Sequence, residues 1–232
     1  MLQTYGAGDI LFTQSIAQDY IDQGNTVIWP VESVYVPLAK HFPNISIIDK
    51  SLMNIDYGLA SAIDIGGTSI VPICYSIPVL NVPAADCMRS KYWLLGKNWE
   101  LWKNNCKIIR DYTAEQKLYS NILGIEPDEQ YNLISENFRI GGMKSRPIQV
   151  DNGLRNIYMS IIPEFTLIDW LLVMQRATTI HAVASSNVYL FELFPMKAHS
   201  LNQIYLYIRR PDEQNHKNYD YILSPSGYTL MD

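Results

Sequence analysis

Cysteine is scarce in this chain: Cys74, Cys87 and Cys106 are the only three in 232 residues. They form no C-x-x-C pair and stand at no metal-ligand spacing from a histidine. This excludes a disulfide framework and a zinc site, and the three read as reduced thiols of a cytoplasmic protein. Charge is also sparse, at 18% Asp, Glu, Lys and Arg with a net charge of -5. That balance gives no sign of a basic nucleic-acid surface, although an acidic total leaves room for a local basic cleft, and a nucleic-acid partner is not the expectation. No apolar run approaches the roughly 18 residues of a membrane span. The N-terminus lacks the basic region and apolar core of a secretory signal, and none is expected. Several catalytic patterns are missing as well: D-x-D, H-E-x-x-H, G-x-S-x-G and the P-loop. No metal and no resident cofactor are therefore expected. Internal repeats and low-complexity tracts are absent too.

Against these absences, 48% of the residues are hydrophobic, enough to bury a sizeable core. Strand and helix patterns alternate along the first fifty residues. A short strand over 2–5 is followed by a glycine turn and a helix over 9–23, stopped by Gly24-Asn25. A buried strand over 26–29, a short helix over 34–41 and a β-branched strand over 45–48 come next. Strand-like material continues over 62–65 and 69–73, with Gly66-Gly67 between. Residues 87–123 then read as mostly helical, and "TAEQKLYSNILG" ends in Gly124, a C-cap signal. A second α/β pattern follows, with strands over 131–134, 156–161 and 179–183 and helices over 167–176 and 188–193. A final strand over 203–208 precedes a polar tail. The pattern predicts an α/β protein of two small Rossmann-like lobes with a cleft between them, residues 1–126 and 127–232.

The stretch "YGAGDIL", residues 5–11, places Gly6, Gly8 and Asp9 where a strand meets a helix N-terminus. Free N–H groups and aligned peptide dipoles favour an anion there. The third glycine of G-x-G-x-x-G is missing, and Glu32 is the sole acid near the position of a ribose ligand, so the turn fits dinucleotide binding poorly. Asp9 has two readings: the N-cap of the helix, or a general base facing a cleft, with Gly6 and Gly8 letting a substrate approach.

The residues "GAGDILFTQSIAQDYIDQGNTVIWPV" resemble the N-terminus of heptosyltransferase-like glycosyltransferases of the GT-B fold. In that family a strand, a G-D-[VI]-L-x-T turn and a helix precede a strand of the "V-x-W-V" kind. The resemblance covers about thirty residues and implies two lobes facing each other across a cleft, with Asp9 as the base that deprotonates the acceptor hydroxyl. Further on, "DWLLVMQRATTIHAVASSNVYLFELF" resembles the donor-binding unit of such enzymes: helix, strand, small-residue loop, helix. The loop Ser185-Ser186-Asn187 is similar to the family's "D-[ST]-G-x-x-H" loop and to the "S-S" loop of fucosyltransferase-like enzymes. Ala184 and Ser186 stand where the first pattern has its acid and glycine. The resemblance implies that the donor diphosphate sits on this loop and the following helix, as in a compact, phage-like glycosyltransferase.

Other residues carry two readings each. His181 is either a satisfied buried histidine or a donor contact. Glu192 either faces solvent or binds a ribose or base edge. Arg139, Lys144 and Arg146 surround Gly141-Gly142 as a solvated loop or as the neutralising charge of a diphosphate, and Arg209-Arg210 are a second such pair. Trp93, Trp99 and Trp102 are core or sugar-stacking residues. Asp169 follows Thr166 in a T-x-x-D pattern and is assigned to capping. The expected function is metal-independent, inverting transfer of a sugar from a nucleotide-sugar donor to an acceptor hydroxyl on a glycan or other molecule. The alternatives are a non-catalytic nucleotide- or glycan-binding protein of the same fold, and a transferase acting on a phage DNA base.

Overall fold

The computed structural model describes residues 6–53, 63–65, 68–71, 73, 87–139, 143–207 and 227–231. The expected strand over 2–5, Gly66-Gly67, Cys74, Gly141-Gly142 and Arg209-Arg210 lie outside the described residues. The chain is a mixed α/β protein that divides into two compact units, Met1–Ile109 and Arg110–Asp232.

In the first unit α1 spans Ala7–Asp22. Its middle is buried on almost every side, so its polar residues each find a partner. Thr13 Oγ1 donates to the Asp9 carbonyl at 2.7 Å. Gln14 exchanges two hydrogen bonds with the backbone of Lys107. Tyr92 Oη donates to the Phe12 carbonyl and accepts from Ser15 Oγ. Gly24, at φ 86, follows the helix as its sequence position foretold.

Strand β1 (Val27–Val31) then pairs in parallel with β2 (Ile45–Asp49), Val27 opposite Ile45. A 3-10 helix over Ser33–His41 makes the crossover between them. The strand-like material expected over 62–65 and 69–73 forms a hairpin: β3 (Ile63–Ile65) and β4 (Thr68–Ile70) pair with each other, antiparallel. Only two residues separate them in sequence. A parallel pair needs a crossover of a dozen or more, so only a hairpin connects so short a gap. Helix α2 (Cys87–Trp93) and a 3-10 turn (Trp99–Leu101) complete the unit. The long helical stretch expected over 87–123 is thus a series of short pieces.

Residues 110–126, expected with the first lobe, pack in the second unit. Arg110 pairs with the fully buried Glu115 and donates to Gln175 Oε1 at 2.7 Å. Asp111 caps α3 (Tyr112–Gln116), which runs on as a wider turn over Lys117–Ile122. Arg155 closes that end by donating to the carbonyls of Leu123 and Gly124.

The core of this unit is a five-stranded sheet. Its strands are β5 (Tyr131–Ser135), β8 (Arg155–Tyr158), β9 (Thr179–Val183), β10 (Ile204–Tyr207) and β11 (Tyr228–Met231). Their spatial order is β11-β10-β9-β5-β8, and every pair is parallel. The expected polar tail therefore contains an edge strand. A small antiparallel hairpin of β6 (Asn137–Arg139) and β7 (Met143–Ser145) occupies part of the segment expected to be turns. Helices α4 (Leu171–Arg176), α5 (Asn187–Leu193) and α6 (Lys197–Ser200) connect the later strands. Thr166 and Asp169 form the expected capping box before α4, with the Thr166 N–H and hydroxyl donating to Asp169 Oδ2 at 2.7 and 2.9 Å. Tyr131 Oη donates to the Val173 carbonyl at 2.7 Å and docks α4 on the sheet.

A buried amide lattice joins three neighbouring strands. Thr179 Oγ1 donates to Asn132 Oδ1, and Asn132 Nδ2 donates to Asn156 Oδ1 and Asn152 Oδ1, each at 2.8 Å. Asn132 has no solvent exposure. Its replacement by alanine strands the buried Thr179 hydroxyl and takes a partner from the half-buried Asn156. Asn132→Ala is expected to lower the stability of this unit by about 2–4 kcal/mol, measured by urea denaturation.

Candidate functional site at the carboxyl edge of the sheet

In the second unit the chain passes from β5 outward to β8, then returns across β5 to β9 and continues to β10 and β11. The strand order reverses between β5 and β9. Loops leaving two such strands diverge to opposite faces, opening a crevice at their carboxyl ends where open parallel sheets bind ligands.

The residues at this point are polar and tied together. Ser135 ends β5, and the loop 184–186 leaves β9. Asn187 Nδ2 donates to Ser135 Oγ at 3.1 Å, and Ser185 Oγ donates to Asn187 Oδ1 at 3.1 Å. Asn187 and Ser135 are both buried, while Ser185 and Ser186 are half-exposed. The Ala184 N–H donates to the Tyr207 carbonyl, which keeps β9 and β10 joined to the brink of the crevice. Glu136, directly after β5, binds the segment that follows the hairpin. Its carbonyl accepts from the Arg146 N–H at 3.1 Å and its Oε1 from the Ile148 N–H at 2.7 Å. Ile148 packs with Ile134, Phe138 and Val183, so this strap is anchored in the core. The Arg146 guanidinium lies over the Tyr207 ring at 5.4 Å.

His181 lies two residues below the end of β9. Its Nδ1 is hydrogen-bonded to Tyr207 Oη at 3.1 Å and its ring stacks on Tyr205 at 4.5 Å. Burial pushes the imidazole down to about 4, so it is neutral at physiological pH. Its chemistry here is to hold the Tyr207 hydroxyl, and through that ring the seat of Arg146.

The structure thus gathers Ser185, Ser186, Asn187, His181 and Arg146 around one edge, and adds Ser135, Glu136, Tyr205 and Tyr207. The added residues carried no local signal, because strand order alone brings them there. The other expected donor residues are placed differently. Glu192 Oε1 accepts from Tyr228 Oη at 2.7 Å, fastening α5 to the edge strand β11. Lys144 is exposed on the hairpin. Arg139 ends β6, and its side chain lies outside the described residues. Helix α5 has only seven residues, and Ser186 makes no side-chain capping bond to it. The loop's own hydroxyls, more than a helix dipole, are what this edge offers an anion.

In the first unit, Gly6 occupies the N-cap position of α1 at φ 76, and Asp9 falls in the first turn, as does Gly8. Asp9 is therefore not the N-cap. Gly6 is required for its left-handed backbone, and a Cβ there would stand 2.6 Å from Asp9 Oδ2 and displace that carboxylate. Its Oδ1 lies 3.1 Å from Lys91 Nζ, a side chain only 3% exposed, whereas Asp9 is 27% exposed. Lys91 also donates to the Ile73 carbonyl at 3.4 Å. A buried ammonium requires a counter-charge, and Asp9 supplies it between α1 and α2. Lys91 sits mid-sequence in "MRSKYW" with nothing local to mark it.

Of the three tryptophans, Trp102 is core, packed on Phe12 at 5.2 Å, while Trp93 is 40% exposed. The Cys106 thiol is pushed up to about 12 by burial and stays protonated. Among the described residues no group of three or more His, Cys, Asp or Glu stands ready for a metal ion, and no helix is long and apolar enough to cross a membrane.

Because the His181 imidazole is held below its ordinary 6.5, the unfolded chain binds its proton more readily. Stability from this group is present above pH 6.5 and lost as pH falls toward about 4. His181→Phe is expected to flatten that part of the stability profile, measured by thermal unfolding across the range. Comparison of the chain with protein-family models, with curated protein sequences and with solved structures gives no match, so its functional reading rests on this geometry and on the N-terminal resemblance.

Proposed function

We propose that this protein is a nucleotide-sugar-dependent glycosyltransferase. The observation that carries the reading is the β5/β9 reversal, where Asn187 joins Ser135 at the end of β5 to Ser185 in the loop after β9, with Ser186 beside it. Serine hydroxyls and a cation held on Tyr207 suit the oxygens of a diphosphate. In the reaction the acceptor hydroxyl attacks the anomeric carbon from the face opposite the leaving group. The new C–O bond forms as the bond to the diphosphate breaks, and its electron pair leaves on the phosphate oxygen. Arg146 and the loop hydroxyls would stabilise that charge with no D-x-D-bound metal. The hydroxyl proton would pass to the Asp9 carboxylate, whose Oδ1 is held by Lys91. The proposal includes the two-lobed GT-B plan that the N-terminal resemblance implies.

A second reading is favoured by the Asp9–Lys91 pair itself. Neutralising a buried lysine is a sufficient structural reason for Asp9, as in a nucleotide- or glycan-binding protein without catalysis.

The test is a thermal-shift screen of UDP, GDP, ADP and CMP with their sugars, followed by transfer assays. One nucleotide is expected to stabilise the protein, by about 2.7 kcal/mol at a hundredfold excess over Kd. Arg146→Gln is expected to weaken that effect at least tenfold in concentration. If no nucleotide stabilises the wild type, the donor site is refuted. Asp9→Asn is expected to lose transfer and about 1–2 kcal/mol of stability, the partial exposure of Asp9 moderating the cost. The double variant Asp9→Asn/Lys91→Met removes both charges and is expected to recover stability without recovering transfer. Nucleotide binding with no turnover by the wild type on any donor would establish the second reading instead.

A further inference from the structure

The chain contains a single Asn-Gly pair, Asn152-Gly153, in the turn that leads into β8. Asparagine followed by glycine is the pair most prone to lose ammonia, because no side chain shields the peptide nitrogen that follows. Both residues are exposed, and Gly153 holds φ 78 with open space where a Cβ would stand. Among the described residues the Gly153 N–H makes no hydrogen bond, so the nucleophile of that reaction is free.

The electrophile is not. The Asn152 carboxamide is held by three hydrogen bonds. Its Oδ1 accepts from Asn132 Nδ2 at 2.8 Å and from the Leu154 N–H at 3.2 Å. Its Nδ2 donates to Asn132 Oδ1 at 3.0 Å. Asn132 is fully buried in β5 and is itself fixed by Thr179 of β9 and Asn156 of β8. The bond from the Leu154 N–H alone closes an Asx turn, so the reciprocal pair with Asn132 is additional to what the turn requires. It ties a surface amide to the centre of the sheet.

We propose that Asn152-Gly153 is a covalent ageing site of the second unit, and that the Asn132 side chain is the latch that keeps it intact in the folded protein. In the reaction the Gly153 nitrogen loses its proton to hydroxide and attacks Cγ of Asn152. The new C–N bond forms, the Cγ–Nδ2 bond breaks, and Nδ2 takes a proton from water and leaves as ammonia. Water then opens the five-membered imide at one carbonyl or the other, giving aspartate or isoaspartate. Departure of Nδ2 requires its bond to Asn132 Oδ1 to break, so ring closure waits on local opening of the latch. Neither product restores it. Aspartate sets an oxygen where the amide donor stood, acceptor against acceptor with Asn132 Oδ1. Isoaspartate reroutes the main chain through the side-chain carbon just before β8. Damage at the surface is thereby passed to the amide lattice that joins β5, β8 and β9. The inference needs no nucleotide, sugar or Asp9 and stands apart from the proposed transfer.

The test is to incubate the full chain at mildly alkaline pH and 37 °C, folded and in guanidinium chloride, and to follow the peptide containing Asn152 by mass spectrometry. Loss of ammonia at Asn152 is expected to be at least about tenfold slower in the folded protein. Folded Asn132→Ala is expected to react at least about tenfold faster than the folded wild type. Leu133→Ala removes a buried side chain from the same strand without touching the latch, and is expected to react at the wild-type rate. Asn152→Asp installs the product carboxylate directly and is expected to lower the urea midpoint. Equal rates in the folded and denatured wild type would overturn the inference. So would a folded Asn132→Ala no faster than wild type, a folded Leu133→Ala as fast as Asn132→Ala, or an unchanged midpoint in Asn152→Asp. Should either alanine variant fail to fold, the wild-type comparison and Asn152→Asp decide the matter.

Discussion

Strand β5 shares its backbone hydrogen bonds with β8 on one side and β9 on the other, and Asn132 repeats that bridging with its side chain. The second unit depends on this central position. Parallel strands cannot be joined by tight turns, so each connection must cross over the sheet. The chain fills the place beside β5 on one side, then the other, so the strand order reverses between β5 and β9. Ser135, Glu136, Ser185 and Asn187 meet there as a consequence of strand order. An apolar residue at Asn132 would leave the buried Thr179 hydroxyl and the Asn156 amide oxygen to find new partners.

The first unit is organised around a different constraint, the burial of α1. A helix covered on nearly all sides must satisfy its own polar groups, and its partners come from far along the chain: Tyr92, Lys91, Lys97, Asn105 and Lys107. These contacts bind 91–107 to the N-terminal helix. The same ties place Asp9 in an ion pair and leave Trp93 and Trp99 at the surface. The turn at Gly6 is thus both the helix start and the place against which the Asp9 carboxylate lies.

Much of this was legible in the chain. Glycines at 24 and 124 marked helix ends, and the T-x-x-D pattern marked a capping box. The runs over 45–48, 131–134 and 179–183 read as strands because β-branched and apolar residues cluster there between turn signals. What misled was length. The stretch 87–123 has helical composition, but Gly96 turns its chain and its tryptophans divide between core and surface. The run over 62–73 reads as sheet material of either kind, until the two-residue gap is weighed against what a parallel pair requires. The edge strand β11 is four residues long and follows a polar segment, so only pairing with β10 defines it.

The chain by itself determined the class of fold, most of the strands and helices, and the serine-rich loop after β9, since these follow from local periodicity, turn residues and side-chain chemistry. Tertiary structure alone decided which residues join that loop, that Asp9 neutralises Lys91, and which tryptophans face out. Those outcomes depend on strand order and on helix contacts between residues as many as 93 positions apart, such as Gln14 and Lys107. No local pattern encodes them, because the free energy that selects them is released only when distant segments bury their surfaces together.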